Sequence, residues 1–568
     1  MANSLLEKRR EQMFPKLTSA QLARLQANSV RRETTAGEIL LDIGERPRGL
    51  FIVTAGSIEA LIPTSDVRTE TCDYVVLNVL TAGDFSGEMS TLRGTRSLAR
   101  LRVGEPGAVL EMGLEDLKRV VQNDSELSEL MMRAFILRRM GMVQSGSSEV
   151  TVLGSSRAGD TLRIREFLTR NARPYVDIDI DRDPDAHALL ERFHLRSQDL
   201  PVVVCRGGEV FKNPDNGALA ECLGINGQPD DAGVHDLIII GAGPAGLAAA
   251  VYAASEGLDV RLVESFAPGG QAGTSSRIEN YLGFPTGISG AALAGRALSQ
   301  AQKFGAQLSV AWQALRLRCD DWPYSVELSN GRQLRGRAIV IASGAQYRAL
   351  ELADVQRFLG SGVYYAATHL EARLCDGEDV AIVGGGNSAG QAAVFLSASC
   401  RQVHVLVRAA GLAESMSAYL VHRIENTHNI TLHTRTQITA LDGSDRLERI
   451  EWATAGGAPE SRELRHLFLM TGASPNTRWL AGCVALDDHG FVKTGPDLRR
   501  EELTRWQLPR HPYLLETSIP GVFAAGDVRA DSVKRIASAV GEGSITVQFV
   551  HRALRDLAAT APHAVAAA

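Results

Sequence analysis

The sequence predicts a multidomain chain: a β-roll with a helical lid and a small α/β unit precede two Rossmann-like three-layer units, the first of them discontinuous. Three observations carry this. Two separate stretches, DLIIIGAGPAGLAAAVYAASEGLDVRLVE from Asp236 and DVAIVGGGNSAGQAAVFLSASCRQVHVLVR from Asp379, each run strand, glycine turn, small-residue helix, strand. Near the N-terminus, short apolar runs are punctuated by Gly37, Gly44 and Gly56, with Ile39, Leu41, Leu50, Ile52 and Ile58 as expected core positions. The Gly/Ser-rich linker QSGSSEV then separates that β region from an αβ alternation. A length of 568 residues accommodates three or four domains of usual size.

Composition narrows the function. Hydrophobic residues make up 45% and charged residues 22%, as in ordinary globular chains. The net charge of -6, from 60 basic and 66 acidic residues, gives no global basic field, so no nucleic-acid partner is expected and phosphates must be held locally. The N-terminal MANSLLEKRREQMFPKL is polar, and no apolar run has the length of a bilayer span; the expectation is a cytoplasmic chain without a membrane partner. The seven cysteines are scattered and none stands in Cys-x-x-Cys spacing, which reads against a disulfide framework and against a metal site.

In the first glycine turn, Gly241 allows the tight bend, Gly243 admits a pyrophosphate to the helix N-terminus, and Gly246 lets helix and strand pack closely. Glu264, at the end of the second strand, can accept from ribose hydroxyls. In the second turn Gly384, Gly386, Asn387 and Ser388 take the corresponding places, but the following strand ends at Val407 without an acid and Arg408 comes next. An acid there serves the ribose diol of NADH, whereas an arginine suits a 2′-phosphate, so the pattern leans to NADPH over NADH. His422 and Arg423 could share that role and read more simply as solvated surface.

Residues 1–143 resemble the cyclic-nucleotide-binding domain of cyclic-AMP receptor proteins and cyclic-nucleotide-regulated kinases. The resemblance lies in GDFSGEMSTLRGTRSLARLRV, where Phe85, Gly87, Glu88, Leu92, Arg96 and Ser97 match the phosphate-binding cassette. It implies that the Gly87 turn, Arg96 and Ser97 hold a cyclic phosphate, that Glu88 takes the ribose 2′-hydroxyl, and that helices from about Leu114 to Met142 form a lid. Two departures are Ser86, between Phe85 and Gly87, and Leu98, where the family carries alanine.

Residues 150–227 read β-α-β-α-β-β-α and resemble thioredoxin and glutaredoxin, with Pro201 at the position of that fold's cis proline. Gly154-Ser155-Ser156-Arg157 stands where the family carries its dithiol, so a docking or relay role is expected, and Cys205 and Cys222 read as buried, inert thiols.

From about Val234 the chain resembles low-molecular-weight thioredoxin reductases and ferredoxin-NADP⁺ reductases, with an FAD unit over 233–360 and 471–568 and an NAD(P)H unit over 361–470. The motifs, in order, are PGGQAGTSSRIENYLGFP with Gly270, Gln271 and Asn280, the returning strand IVIASGAQYRAL, and GVFAAGDVRAD with Gly526 and Asp527. They imply FAD and NADPH as cofactors, hydride passing from nicotinamide C4 to flavin N5, and a homodimer. Where thioredoxin reductases carry Cys-Ala-Thr-Cys, this chain has Ala366-Ala367-Thr368-His369, and Cys375 further on reads as lacking a partner. The expectation is an NADPH-dependent flavoprotein oxidoreductase, subject to cyclic-nucleotide regulation, that discharges to an acceptor other than a disulfide, with His369 relaying a proton. Two alternatives stay open: a reductase delivering to ferredoxin, another small protein or a quinone, and a ligand-responsive sensing module with little turnover.

Overall fold

The computed structural model describes residues 10–560 apart from 64–73, 88–90, 93–96, 98, 145–149, 157, 184–195, 206–208, 227–232, 276, 348–349, 351, 353, 414 and 445. Glu88, Arg96, Leu98, Arg157 and the second helix of the αβ alternation therefore lie outside the described residues.

The N-terminal β-roll consists of two antiparallel sheets. One orders Val30–Thr34, Gly107–Gly113 and Gly49–Ala55; the other orders Ile39–Leu41, Arg100–Val103, Ser57–Pro63 and Tyr74–Thr81. Gly37, Gly44 and Gly56 turn at positive φ, the conformation that a residue without Cβ adopts freely. Leu50, Ile52 and Ile58 are in the core as expected, but Ile39 is 47% exposed. The pairing with Arg100–Val103 shifts register between Ile39 and Leu41, and such a bulge reverses which face a side chain meets. Helices Leu114–Asn123 and Ser125–Gln144 follow, and Leu117, Val121, Met131 and Phe135 pack them onto Leu50, Ile52 and Phe85.

The next unit is a four-stranded sheet ordered Val210–Lys212, Val202–Cys205, Val150–Gly154, Tyr175–Asp179, with the last two parallel and the other pairs antiparallel. Helices Gly159–Arg170 and Asn216–Cys222 accompany it, and the Leu200–Pro201 peptide is cis. Cys205 and Cys222 form a disulfide, correcting the reading of two separate thiols. The strand end and the helix end bring their Cα atoms to 6.6 Å, a proximity that a 17-residue sequence separation does not reveal.

The third unit is built on parallel strands ordered Gln307–Val310, Val260–Glu264, Val234–Ile240, Gln333–Ile341 and Val522–Ala524. Strands Tyr324–Leu328 and Ala314–Arg318 extend it in antiparallel fashion. The LIII run is buried on both faces: Leu237 and Ile239 pack against helices Pro244–Ser255 and Ile536–Thr560, while Ile238 and Ile240 pack against Leu317, Tyr324 and Val326 of the antiparallel extension and Trp479 of the returning segment. Since Val522–Ala524 and helix Ile536–Thr560 arrive after the fourth unit, this sheet is completed by a returning chain. The departing and returning segments pair as Ala345–Tyr347 with Ala473–Pro475. A second disulfide, Cys319–Cys483, ties the antiparallel extension to the returning segment.

The fourth unit has five parallel strands, ordered Val363–Tyr364, His466–Leu469, Asp379–Val383, Gln402–Leu406 and Ile430–His433. Among the described residues no helix is long and apolar enough to cross a membrane.

Close helix packing in the third unit depends on small residues. Helix Pro244–Ser255 reads PAGLAAAVYAAS and meets helix Ile536–Thr560 where a Cβ on Gly543 would lie 2.1 Å from the carbonyl oxygen of Ala245. We therefore expect Gly543→Val to lower the thermal midpoint by several degrees, equivalent to about 2 kcal/mol of overpacking. Gly541→Val, in the same helix with no atom within 4 Å of the added carbon, serves as the control and changes it little. Thermal denaturation followed by circular dichroism reads the difference.

Candidate functional site

The glycines of the first turn separate into three roles. Gly241 has φ +107, and a Cβ there would sit 2.2 Å from the Ala342 carbonyl oxygen on the neighbouring strand. A Cβ on Gly246 would sit 1.8 Å from the Gly241 oxygen, so helix and strand touch there through bare backbone. Gly243 is different: an added Cβ would meet nothing closer than Gly270 Cα at 4.0 Å, leaving the backbone open at the helix N-terminus. Gly243 is the N-cap and supplies no side chain, so the first-turn N–H groups point outward without a capping partner. That is a seat for an anion.

Around this helix end the later motifs converge. Gly269 and Gly270 turn at positive φ, and Gly270 packs on Gly243. The Gln271 amide donates to the Ala345 carbonyl of the returning strand. Gly526 lies against Ala245, its N–H donating to Glu542 at 2.7 Å, while Glu542 pairs with Arg529 at 2.7 Å. Asp527 is half-buried, and burial pushes its carboxyl up against the opposing pull of Lys534. Glu264 accepts from the Ala242 N–H on Oε2 at 2.8 Å and from the Phe266 N–H on Oε1 at 2.9 Å, tying the glycine turn to the loop after its own strand and keeping acceptor capacity on Oε2. Asn280 is exposed beside Glu279. Glu542 was not singled out by the sequence; it lies sixteen residues beyond the motif glycine Gly526, inside an unremarkable helix.

The second turn repeats the arrangement. Gly384 has φ +144 with the Met470 carbonyl oxygen 2.3 Å from a virtual Cβ, while Gly386 caps helix Asn387–Leu396 without a side-chain bond. Gly390, which the sequence reading passed over, lets Met416 approach to 2.8 Å of a virtual Cβ. Asn387 braces the turn as well: its Oδ1 accepts the Ser417 N–H at 2.7 Å. Ser388 and Arg408 are exposed, and Arg408 has no ion pair among the described residues. Arg423 is exposed, as expected of surface, and is paired. It forms a two-pronged pair with Glu279 of the third unit, at 2.7 and 3.3 Å, so it clamps the two nucleotide-type units together.

His369 opens helix His369–Leu374, exposed, with its ring edge-on to Phe395 at 5.2 Å. Thr368 caps that helix with Glu371, whose buried carboxyl is pushed up by desolvation. Cys375, expected to be alone, has its sulfur 3.6 Å from that of Cys400, both buried; the neighbouring thiol and burial push Cys375 up.

In the β-roll, Gly87 turns at φ +93 and Ser97 donates its hydroxyl to the Ala99 carbonyl at 2.9 Å. The buried Arg138, on helix Ser125–Gln144, donates to the carbonyls of Phe85 and Gly87 at 3.0 and 2.8 Å. The second helix thus holds the start of the cassette directly, a contact no motif signalled.

Comparison with known proteins agrees with this geometry. Residues 31–124 match the Cyclic nucleotide-binding domain family. A thioredoxin reductase of Listeria monocytogenes is 30% identical over 330 residues, covering 57% of this chain and 95% of the relative. The NADPH-dependent thioredoxin reductase 3 of Arabidopsis thaliana is 32% identical over 339 residues, covering 56% of this chain and 58% of the relative. The solved thioredoxin reductase of T. acidophilum superposes with a TM-score of 0.50 at 26% identity, over 56% of this chain and 98% of its own. Residues 235–543 match the Pyridine nucleotide-disulphide oxidoreductase family, which implies FAD and NADPH, and the chain belongs to that family.

Proposed function

We propose that the chain takes reducing equivalents from NADPH through FAD and delivers them to an acceptor other than thioredoxin, a ferredoxin-type carrier or a quinone, without a Cys-x-x-Cys relay. The observation that carries this reading is the convergence of Gly243, Gly270, Gln271 and Gly526 around one uncapped helix N-terminus. That open backbone fits a pyrophosphate, and the remaining acceptor capacity of Glu264 fits a ribose hydroxyl. When bound, FAD supplies the two-electron centre that takes hydride from a reduced nicotinamide.

The chain's own residues position the two nucleotides. The uncapped N-terminus of helix Asn387–Leu396 receives the second pyrophosphate, and Arg408, exposed and unpaired among the described residues, reaches the 2′-phosphate of NADPH. His369 is assigned the proton relay to the acceptor, since it is the exposed titratable side chain at the Ala366-Ala367-Thr368-His369 segment where relatives of this type carry cysteines. The strand order of residues 150–212 supports a thioredoxin-like unit used for docking. Arg138, which ties the cassette to its following helix, supports a regulatory reading of the β-roll, effective only if a cyclic nucleotide favours one arrangement of that helix.

Steady-state NADPH oxidation against thioredoxin, ferredoxin and a quinone tests the acceptor class: turnover is expected with ferredoxin or the quinone and not with thioredoxin, and ready thioredoxin turnover overturns the reading. Arg408→Ala is expected to raise KM for NADPH about 10- to 100-fold, the about 1.5–3 kcal/mol of a hydrogen bond to a charged group, with KM for NADH unchanged. Equal changes for both nucleotides would remove Arg408 from the 2′-phosphate site.

A further inference from the structure

Helix Gly159–Arg170 of the small α/β unit touches both nucleotide-type units, one at each of its ends. Its 12 residues span about 18 Å at the rise of an α-helix. The N-terminal contact is bare backbone. A Cβ on Gly159 would lie 2.9 Å from the carbonyl oxygen of Leu359, a residue packed with Ala381 and Val383 of the fourth unit. A Cβ on Gly360, which turns at φ +76, would lie 2.8 Å from Gly159 Cα. One turn on, Leu162 packs against the fourth unit's core, which includes Ala367 and Cys375 on either side of helix His369–Leu374. A further turn on, Glu166 comes near Glu371: burial pushes the Glu371 carboxyl up, and the charge of Glu166 pushes it further. Positions 159, 162 and 166 share one helical face, and that face meets the fourth unit.

The C-terminal end grips the third unit. Phe167 meets Phe266 edge-on at 5.7 Å, and Asn171 donates to the Phe266 carbonyl at 3.2 Å. Arg170 donates to the Gly270 carbonyl at 2.6 Å, with Glu166 3.4 Å from its guanidinium on the other side. Gly270 in turn packs on Gly243 at the open backbone of the first glycine turn. Within its own unit the helix is fixed by buried Ile164 and Leu168 and by Arg163, which donates to Asn213, Asn216 and the Pro214 carbonyl. A helix packed on three sides has little slack, so a displacement at one end is carried to the other.

We propose that helix Gly159–Arg170 is a strut that sets the orientation of the fourth unit toward the first glycine turn, with Gly159 and Arg170 as its positioning residues. The consequence for catalysis rests on the reading that the two turns hold FAD and NADPH. Transfer between them requires reacting atoms about 3–3.5 Å apart, so a small rotation of one unit costs rate without altering how tightly the fourth unit holds its own nucleotide.

Stopped-flow reduction by NADPH and hydrogen exchange read by mass spectrometry, both on the full-length, FAD-loaded chain, test the strut. Arg170→Ala is expected to lower the limiting rate of flavin reduction about tenfold or more while the half-saturating NADPH concentration stays within about twofold of the parent's. In the same variant the amides of 359–363, at the opposite end of the helix, exchange faster. Arg170→Lys keeps a donor for the Gly270 carbonyl and restores both readouts. Gly159→Val wedges the other end, lowering the limiting rate likewise and speeding exchange at 266–271. An unchanged limiting rate in either Arg170→Ala or Gly159→Val, or faster exchange confined to the altered end, overturns the proposal. A parent flavin that NADPH does not reduce defeats the reading of the two turns instead, and far-end exchange in the variants then decides the strut by itself.

Discussion

Three backbones meet without side chains between them where Gly241, Gly246 and the strand end at Ala342 come together. A methyl group at either glycine would lie 1.8 to 2.2 Å from a carbonyl oxygen, far inside van der Waals contact, so the first strand, its helix and the returning strand can share one point only because Cβ is missing. Everything functional in the C-terminal half hangs on that contact. It aims the helix N-terminus at the open backbone of Gly243, and it seats Ala245 so that Gly526 and Gly543 can close over it. The second unit uses the same device with Gly384 against Met470.

The two nucleotide-type units are joined by narrow means: the strand pair Ala345–Tyr347 with Ala473–Pro475, and the Arg423–Glu279 clamp. The small α/β unit braces the arrangement from outside. Asn226 exchanges two hydrogen bonds with Val310, at 2.7 and 3.0 Å, Phe167 meets Phe266 edge-on, and Arg170 holds Gly270. An edge-to-face pair and side-chain bonds to main-chain carbonyls at a part-buried junction resist separation more than exposed ion pairs do. The module that lacks a dithiol at its first strand is therefore placed to fix the segment beside the first glycine turn.

Local signals were legible in the sequence and distant ones were not. Glycine turns, apolar strands and small-residue helices are written in neighbouring residues, so the tight bend at Gly241, the close helix–strand contact at Gly246 and the family could be read directly. The cysteine pairs could not, because Cys205–Cys222 and Cys319–Cys483 depend on where strand ends meet distant elements. The partners of Arg423 and Asn387 and the exposure of Ile39 were hidden for one reason: a long or amide side chain, or a bulged strand, finds its place through tertiary geometry. Arg138 and Arg170 carried no motif at all, since a guanidinium donating to a main-chain carbonyl leaves no pattern on the acceptor's sequence.

The central claim is that electrons entering from NADPH stop at the flavin before they leave the protein, although the fold holds two disulfides and the close thiols of Cys375 and Cys400. Anaerobic titration of the FAD-loaded chain with NADPH, followed by flavin absorbance, counts the electrons directly. The account predicts complete bleaching at one two-electron equivalent per flavin. A requirement for two equivalents, with new thiols appearing as the flavin is reduced, would contradict it and show that a cysteine pair is part of the electron path.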